Sequence, residues 1–215
     1  MLSPRSEGWI AGLRRFMDHP VAEQRCEMCG ASIRADHRHL MQISERHLLC
    51  CCQSCAVLFD TGTGTEEVYR LVPTRSRQLD ATDFSLSDAQ WDALEIPIDI
   101  AFFIKSSLAS RVVALYPGPA GTTESLLDLS AWEELQTENP VLAELEPDVE
   151  ALLINRSHGA REYYRVPIDQ CYALAGIIRM RWRGLTGGTE AWVAIGDFFS
   201  NLQAGTRVSE RSFHA

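Results

Sequence analysis

The sequence predicts an α+β protein, in which a small N-terminal zinc-finger-like module with four cysteines precedes an antiparallel sheet domain packed with helices. The module is predicted because six of the seven cysteines fall within residues 26–55, where two Cys-x-x-Cys pairs are separated by 22 residues. The sheet is predicted because, beyond residue 84, apolar runs suited to strands come in neighbouring pairs and helical patterns follow them. This order favours antiparallel pairing, with the helices on one face of the sheet.

The chain of 215 residues can form one sizeable core beside a small metal-stabilised module. Residues 1–20 are predicted to form an amphipathic helix, because Trp9, Leu13 and Phe16 recur at helical spacing before Pro20. The other predicted segments are a four-cysteine metal-binding module at 21–72, a linker rich in Arg and Ser at 73–83, an α+β domain at 84–206 and a flexible tail at 207–215.

Within the module the predicted order is a knuckle, a hairpin and a helix. Residues 26–30 read Cys-x-x-Cys-Gly, where the glycine lets the backbone turn tightly so that both sulfurs point at one ion. Two short extended runs at 39–43 and 47–51 are joined by a polar turn, and residues 52–59 have a helical pattern. This order resembles that of a treble-clef zinc finger.

The second unit is predicted to alternate paired strands with capped helices. Its expected elements, in order, are a short helix after the capping box Ser87–Gln90, paired strands at 98–104 and 112–116, a rigid loop at 116–121, a helix from Ser130 interrupted at Pro140, strands at 149–155 and 163–166, a helix from Pro167 to Gly184, and a last helix capped by Thr189. Residues 61–65 form a glycine-rich turn without the Gly-Lys-Ser/Thr ending of a phosphate-binding loop.

The two matched cysteine pairs are the predicted metal ligands: Cys26, Cys29, Cys52 and Cys55. Four thiolates fill a tetrahedral coordination sphere, which indicates a structural or redox site rather than one that keeps a position open for substrate. Zinc is the expected ion. Iron in a rubredoxin-like site or an Fe–S cluster is the alternative, since these cofactors accept the same sulfur ligands.

Four further side chains near the pairs leave alternatives open. Cys50 is an alternative ligand, because strand alternation puts it on the same face as Cys52, whereas Cys51 faces the other way and is expected to be buried. His37 and His39 can be donors of hydrogen bonds to the metal ligands, alternative ligands, the catalytic imidazole of a treble-clef nuclease, or simply a polar strand edge. The nuclease would need a basic phosphate-facing surface and a second set of metal ligands, neither of which is evident in the sequence.

The distribution of charge along the sequence limits the kinds of partner that the protein can bind. The formal net charge is −9, and residues 112–155 contain nine acidic residues and no Lys or Arg, which argues against nucleic acid or an anionic membrane as the partner of this stretch. A basic protein partner would fit this acidic stretch, and a surface that only contacts solvent is the plainer alternative.

No apolar run is long enough to insert into a membrane, and the thiol-rich composition suggests the reducing cytoplasm. No nucleophile elbow, deaminase signature or facing acid pair is present, so we expect no enzymatic activity.

Several longer motifs resemble those of a known family. They are Cys-Glu-Met-Cys-Gly, His-Arg-His-Leu, Leu-Leu-Cys-x-Cys-x-x-Cys-Ala-x-Leu-Phe, Val-Ala-Leu-Tyr-Pro-x-Pro-Ala-Gly and Trp-x-Glu-Leu-x-x-x-Asn-Pro-x-Leu. The chain, from about Arg25 to Leu202, resembles an uncharacterised bacterial family commonly encoded in [NiFe]-hydrogenase gene clusters. The resemblance implies an accessory protein of hydrogenase assembly or maturation, or an accessory redox protein, with a hydrogenase subunit or maturation factor as partner. It also implies cysteines at the positions of Cys26, Cys29, Cys50, Cys52 and Cys55, and no catalytic residues.

Overall fold

The computed structural model describes residues 24–60, 68–125, 130–184 and 186–211, without the side chains of residues 130 and 207–211. The predicted N-terminal helix at 1–20 and the turn at 61–65 lie outside the described residues. The strands are β1 (Arg38–Gln42), β2 (His47–Cys51), β3 (Tyr69–Leu71), β4 (Arg77–Gln78), β5 (Ile100–Ser106), β6 (Arg111–Gly118), β7 (Gly121–Glu124), β8 (Glu150–Asn155) and β9 (Glu162–Pro167). The α-helices are α1 (Gln53–Asp60), α2 (Asp88–Ala93), α3 (Ser130–Glu138), α4 (Ile168–Arg181) and α5 (Gly188–Arg211).

The smaller sheet has three antiparallel strands in the order β2-β1-β3, and α1 follows β2 directly. The hairpin and the helix predicted for this segment are confirmed. Leu40 and Cys51 are fully buried between the strands and α1, because alternate side chains of each strand point to the same face. This small core contains few large apolar side chains.

The larger sheet has six antiparallel strands in the order β4-β9-β8-β5-β6-β7. The predicted pairing of β5 with β6 across a tight turn is confirmed. Two short edge strands were not predicted: β4 lies inside the predicted linker at 73–83, and the predicted rigid loop at 116–121 is instead the end of β6, a two-residue turn and the start of β7. Neither edge strand is long enough to give a recognisable alternation, and Pro117 is accommodated because it lies near the end of an outer hairpin.

Helices cover both faces of the larger sheet, so the prediction that they lie on one face was wrong. Along β5, Ile100, Phe102 and Ile104 pack in a core with α4 and α5. Ala101 and Phe103 point the other way, into a second core with α2 and α3. The central strands β5 and β8 are buried at nearly every position, which is the pattern of a strand enclosed on both sides.

The three-stranded module is joined to the larger sheet by apolar and polar contacts. Met41 and Val72 belong to the core on the α4 and α5 side. Arg46 Nη1 lies 2.8 Å from Glu124 Oε2, and Arg70 Nη1 donates to the carbonyl oxygen of Pro147 at 3.0 Å. These contacts hold the three-stranded module against the larger sheet domain.

The last helix is longer than the sequence indicates. It continues to Arg211, so residues 207–211 of the predicted flexible tail are helical, while 212–215 lie outside the described residues. None of the helices in the described part of the chain is long and apolar enough to cross a membrane.

Candidate metal centre

The first cysteine pair lies in a tight backbone turn. Gly30 donates its N–H to the carbonyl oxygen of Cys26 at 2.8 Å, and Cys26 donates to that of Ala31 at 2.8 Å. Gly30 has φ +76°, a left-handed conformation that glycine adopts without a steric penalty. The turn brings the side chains of Cys26 and Cys29 to the same side, as the Cys-x-x-Cys-Gly motif predicts.

The second pair lies at the start of α1. Cys52 precedes the helix, and its carbonyl oxygen accepts the N–H of Ala56 at 2.9 Å. The N–H of Cys55 points at Cys52 Sγ, at 3.4 Å. The N–H groups of a first helical turn lack partners within the helix, so they can donate hydrogen bonds to a sulfur at this position.

The two pairs meet in one cluster of four thiols. Within it, one ligand atom from each of Cys26, Cys29, Cys52 and Cys55 lies within 4.8 Å of the others. The sulfurs of Cys29 and Cys52 are 3.7 Å apart, close to the roughly 3.8 Å that a tetrahedron with Zn–S bonds of about 2.3 Å requires. All seven cysteines are free of disulfides. The cluster could therefore bind a metal ion.

A pair of hydrogen bonds holds the knuckle against β2. Glu27 donates its N–H to the carbonyl oxygen of Cys50 at 2.9 Å, and its carboxylate oxygen Oε2 accepts the N–H of Cys50 at 2.5 Å. Glu27 thus satisfies both backbone groups of one residue on the outer strand of the small sheet. This contact sets the distance between the two cysteine pairs.

The thiols of the cluster differ in their pKa values. Burial acts to raise the pKa of Cys26, but hydrogen bonds from the backbone of Cys52, Cys29 and Met28 outweigh it and lower that pKa to about 6. Burial raises the pKa of Cys55 well above its usual range, and the neighbouring thiols raise it further. Four thiolates cannot coexist here without a cation, because they would repel one another. A bound metal supplies the positive charge and displaces the remaining protons.

Three of the other predicted candidates form a separate group. One ligand atom from each of His37, His39 and Cys50 lies within 4.8 Å of the others. Cys50 is thus grouped with the two histidines, and not with the four cysteines. Cys51 is fully buried, as predicted, and burial raises its pKa to about 11.

Cys171 is separate from both groups. It is fully buried in the larger core, and burial raises its pKa well above the usual range. A thiol in this environment is protonated and inert.

Two residues that contribute to these groups were not among the predicted site residues. Glu27 anchors the knuckle, and Asp169 accepts a hydrogen bond from His39 at 2.9 Å across 130 residues of sequence. The sequence could have indicated Glu27, because this residue lies between the two cysteines of the first pair. No comparable signal exists for Asp169, because nothing in the sequence around it indicates a contact with β1.

The fold and the site together define an α+β protein of antiparallel sheets with a four-cysteine cluster that could bind a metal ion. The chain belongs to the family of unknown function DUF5947, whose profile matches residues 25–206. The matched range includes both cysteine pairs, both sheets and most of α5. No curated protein and no solved structure matched the chain.

Proposed function

We propose that this protein is a non-enzymatic accessory factor of [NiFe]-hydrogenase assembly or maturation, which acts by binding a protein partner and holds a structural zinc ion. The observation that carries the proposal is the closed set of four thiols, Cys26, Cys29, Cys52 and Cys55. A site of four thiolates leaves zinc no position for water or substrate, which favours a structural role.

The small core of the module supports a structural metal. Its buried members are three cysteines, Leu40 and Ala56, which together bury little apolar surface. A structural zinc ion contributes on the order of 10 kcal/mol in small zinc-finger peptides, enough to order a segment of this kind. The proposed ion would join the knuckle, the hairpin and α1 at one point.

A protein partner is supported by the family resemblance and by the charge of one surface. Helix α3 presents three exposed carboxylates, those of Glu133, Glu134 and Glu138. A surface of this charge favours approach of a basic protein and disfavours nucleic acid. The resemblance to proteins of hydrogenase gene clusters suggests a hydrogenase subunit or maturation factor, and the proposed setting is the cytoplasm, where free thiols stay reduced.

Metal content tests the proposed zinc site. The protein is purified without added metal and without oxygen, and its metals are measured by mass spectrometry beside an ultraviolet–visible spectrum. We expect zinc, retained through gel filtration, and no visible absorbance from the four-thiolate site. Neither zinc nor iron bound to the purified chain would contradict the proposal.

The second candidate is an electron carrier with iron or an Fe–S cluster on the same four cysteines. The exposure of Cys29 favours it, because an exposed ligand shortens the path for electron transfer to a partner. This candidate predicts iron together with visible charge-transfer bands that bleach on reduction. Such a spectrum would favour the electron carrier over the protein with a structural zinc ion.

A gene deletion tests the hydrogenase association. In a bacterium that encodes this protein beside a [NiFe] hydrogenase, we expect the deletion to lower hydrogenase activity and a wild-type copy to restore it. A copy with Cys29→Ser should fail to restore activity, whereas Met28→Ser, at an exposed neighbour outside the thiol cluster, should succeed. Full hydrogenase activity in the deletion strain would rule out the hydrogenase role while leaving the metal site intact.

A further inference from the structure

A second group of metal-ligating side chains lies on the β1–β2 hairpin, beside the four-cysteine cluster. His39 and Cys50 are directly opposite each other in the antiparallel register, and His37 lies two residues before His39, on the same side of the chain. Their ligand atoms are within 4.8 Å of one another. We propose that His37, His39 and Cys50 form a second metal site, distinct from the four-cysteine site, that binds a divalent transition-metal ion such as Zn²⁺ or Co²⁺.

Hydrogen bonds orient both imidazoles for this role. Nδ1 of His37 lies 2.8 Å from the carbonyl oxygen of Arg34, and Nδ1 of His39 lies 2.9 Å from Asp169 Oδ2. A backbone carbonyl oxygen and a carboxylate oxygen act only as acceptors, so Nδ1 is the donating nitrogen in each ring. Nε2 is therefore the nitrogen of each ring that is left to bind a metal.

The second ring nitrogen of His37, Nε2, forms no hydrogen bond with any of the described residues. Nε2 of His37 is buried and has no hydrogen-bond partner there. Buried polar atoms are normally satisfied, and one that is not calls for an explanation such as an ion. A metal bound between Nε2 of His37, Nε2 of His39 and Cys50 Sγ would satisfy this atom.

Asp169 gives His39 the partner that metal-bound histidines usually have. A carboxylate that accepts from the far nitrogen fixes the ring and makes the ligating nitrogen more basic. Asp169 lies in the first turn of α4, so the contact also connects the hairpin to the larger sheet domain. We assign Asp169 as a positioning residue of the second site.

The two sites use separate ligands. The four cysteines complete a tetrahedron without Cys50, whose thiol is grouped with the histidines instead. Cys50 is joined to Glu27 by one backbone hydrogen bond and by a second from its N–H to the Glu27 carboxylate, so the two sites are neighbours that share no ligand.

The types of ligand indicate which metal ions the second site would bind, and their number indicates how many coordination positions remain. Two imidazoles and one thiolate prefer zinc, cobalt, nickel or copper over magnesium and calcium, which prefer oxygen ligands. Three protein ligands leave a fourth tetrahedral position for water or for a ligand from a partner. Binding releases the thiol proton of Cys50 to solvent and changes no oxidation state.

Cobalt titration tests the second site. Metal-free, fully reduced protein is first given one equivalent of zinc and then titrated with Co²⁺ without oxygen, while the absorbance of the thiolate–cobalt bands is recorded. We expect the wild-type chain to bind two metal ions in total. Cys50→Ser should bind one, and Asp169→Asn should bind the second ion about 10- to 100-fold more weakly.

The matched control is His47→Ala, which removes an exposed histidine at the start of β2 that lies outside the ligand group. This variant should still bind two ions. Circular dichroism confirms that each variant is folded, and His39→Ala replaces Cys50→Ser if the latter is not. A wild-type chain that binds a single ion which Cys50→Ser does not affect, or a folded Cys50→Ser chain that binds two with wild-type affinity, would overturn the second site. Dependence on Cys50 separates this result from a failure of the four-cysteine site to take zinc.

Discussion

Cys26 and Cys55 illustrate how neighbouring thiols in one cluster acquire different properties. Burial raises the pKa of Cys55, whereas the pKa of Cys26 falls to about 6 because backbone N–H groups of Cys52, Cys29 and Met28 outweigh its burial. In the metal-free cluster Cys26 therefore loses its proton more readily than Cys55 does. Metal binding must remove the remaining protons, so affinity for the ion should rise with pH.

At the residue scale, Cys29→Ser is expected to abolish stable metal retention by the four-cysteine site. Serine is a poor ligand for zinc or iron at neutral pH, and its shorter C–O bond leaves the oxygen too far from the other three ligands. The expected result is the loss of the ion that the wild-type chain keeps through gel filtration, measured as metal per chain by mass spectrometry.

Met28→Ser is the control, because Met28 lies in the same turn and is exposed, with no thiol to lose. It should retain wild-type metal content. A Cys29→Ser chain that keeps its metal at wild-type stoichiometry would show that another residue can complete the site.

The connection between helices α4 and α5 contains a glycine, Gly187, that packs closely against Trp182. Gly187 has φ +88°, and a Cβ at this position would lie 3.0 Å from two ring carbons of Trp182. The carbonyl oxygen of Gly187 also accepts the N–H of Arg183 at 3.0 Å. Backbone conformation and close packing therefore both require glycine here.

At the element scale, Gly187→Ala is expected to lower the free energy of unfolding by about 1–3 kcal/mol, through strained backbone and displacement of Trp182. Urea denaturation followed by tryptophan fluorescence measures the change. Gly196→Ala is the matched control, because Gly196 is exposed within α5 and a Cβ there meets nothing within 4 Å. That variant should be neutral or more stable by up to about 1 kcal/mol, since alanine favours helix. Equal effects at the two glycines would contradict the packing argument.

At the scale of the whole molecule, charges from distant parts of the sequence pair with one another. Arg46 of the module contacts Glu124 of β7, and Arg70 Nη1 lies 3.7 Å from Asp148 Oδ2. Within the larger sheet, Arg165 donates to the buried carboxylate of Glu150. Part of the acidic stretch at 112–155 is therefore neutralised by arginines from outside it. The sequence overstates how much negative charge that stretch offers a partner.

Metal removal is expected to affect the two sheets unequally. When the proposed ion is stripped with a chelator, backbone amides of residues 24–60 should lose protection from hydrogen exchange, because an ion bound by the four cysteines would join the knuckle, the hairpin and α1. Amides of β5, β8 and β9 should stay protected, since two apolar cores enclose those strands. Hydrogen exchange with mass spectrometry measures both.

Readdition of zinc is the control, and it should restore protection to residues 24–60. This comparison also tests the predicted division into a module at 21–72 and a domain at 84–206. Loss of protection throughout the larger sheet would mean that the two units unfold as one.

The sequence by itself determined the elements whose signals are local. Cys-x-x-Cys spacing indicated the four clustered thiols, and apolar runs bounded by turns indicated the hairpin β1–β2 and the pairing of β5 with β6. Tertiary structure decided what depends on distant segments meeting. The second face of the larger sheet is covered by α2 and α3, edge strand β4 forms only against β9, and Asp169 reaches His39 across the fold. Periodicity shows which face of an element is apolar but not which distant segment covers it, because that choice depends on the packing of the whole chain.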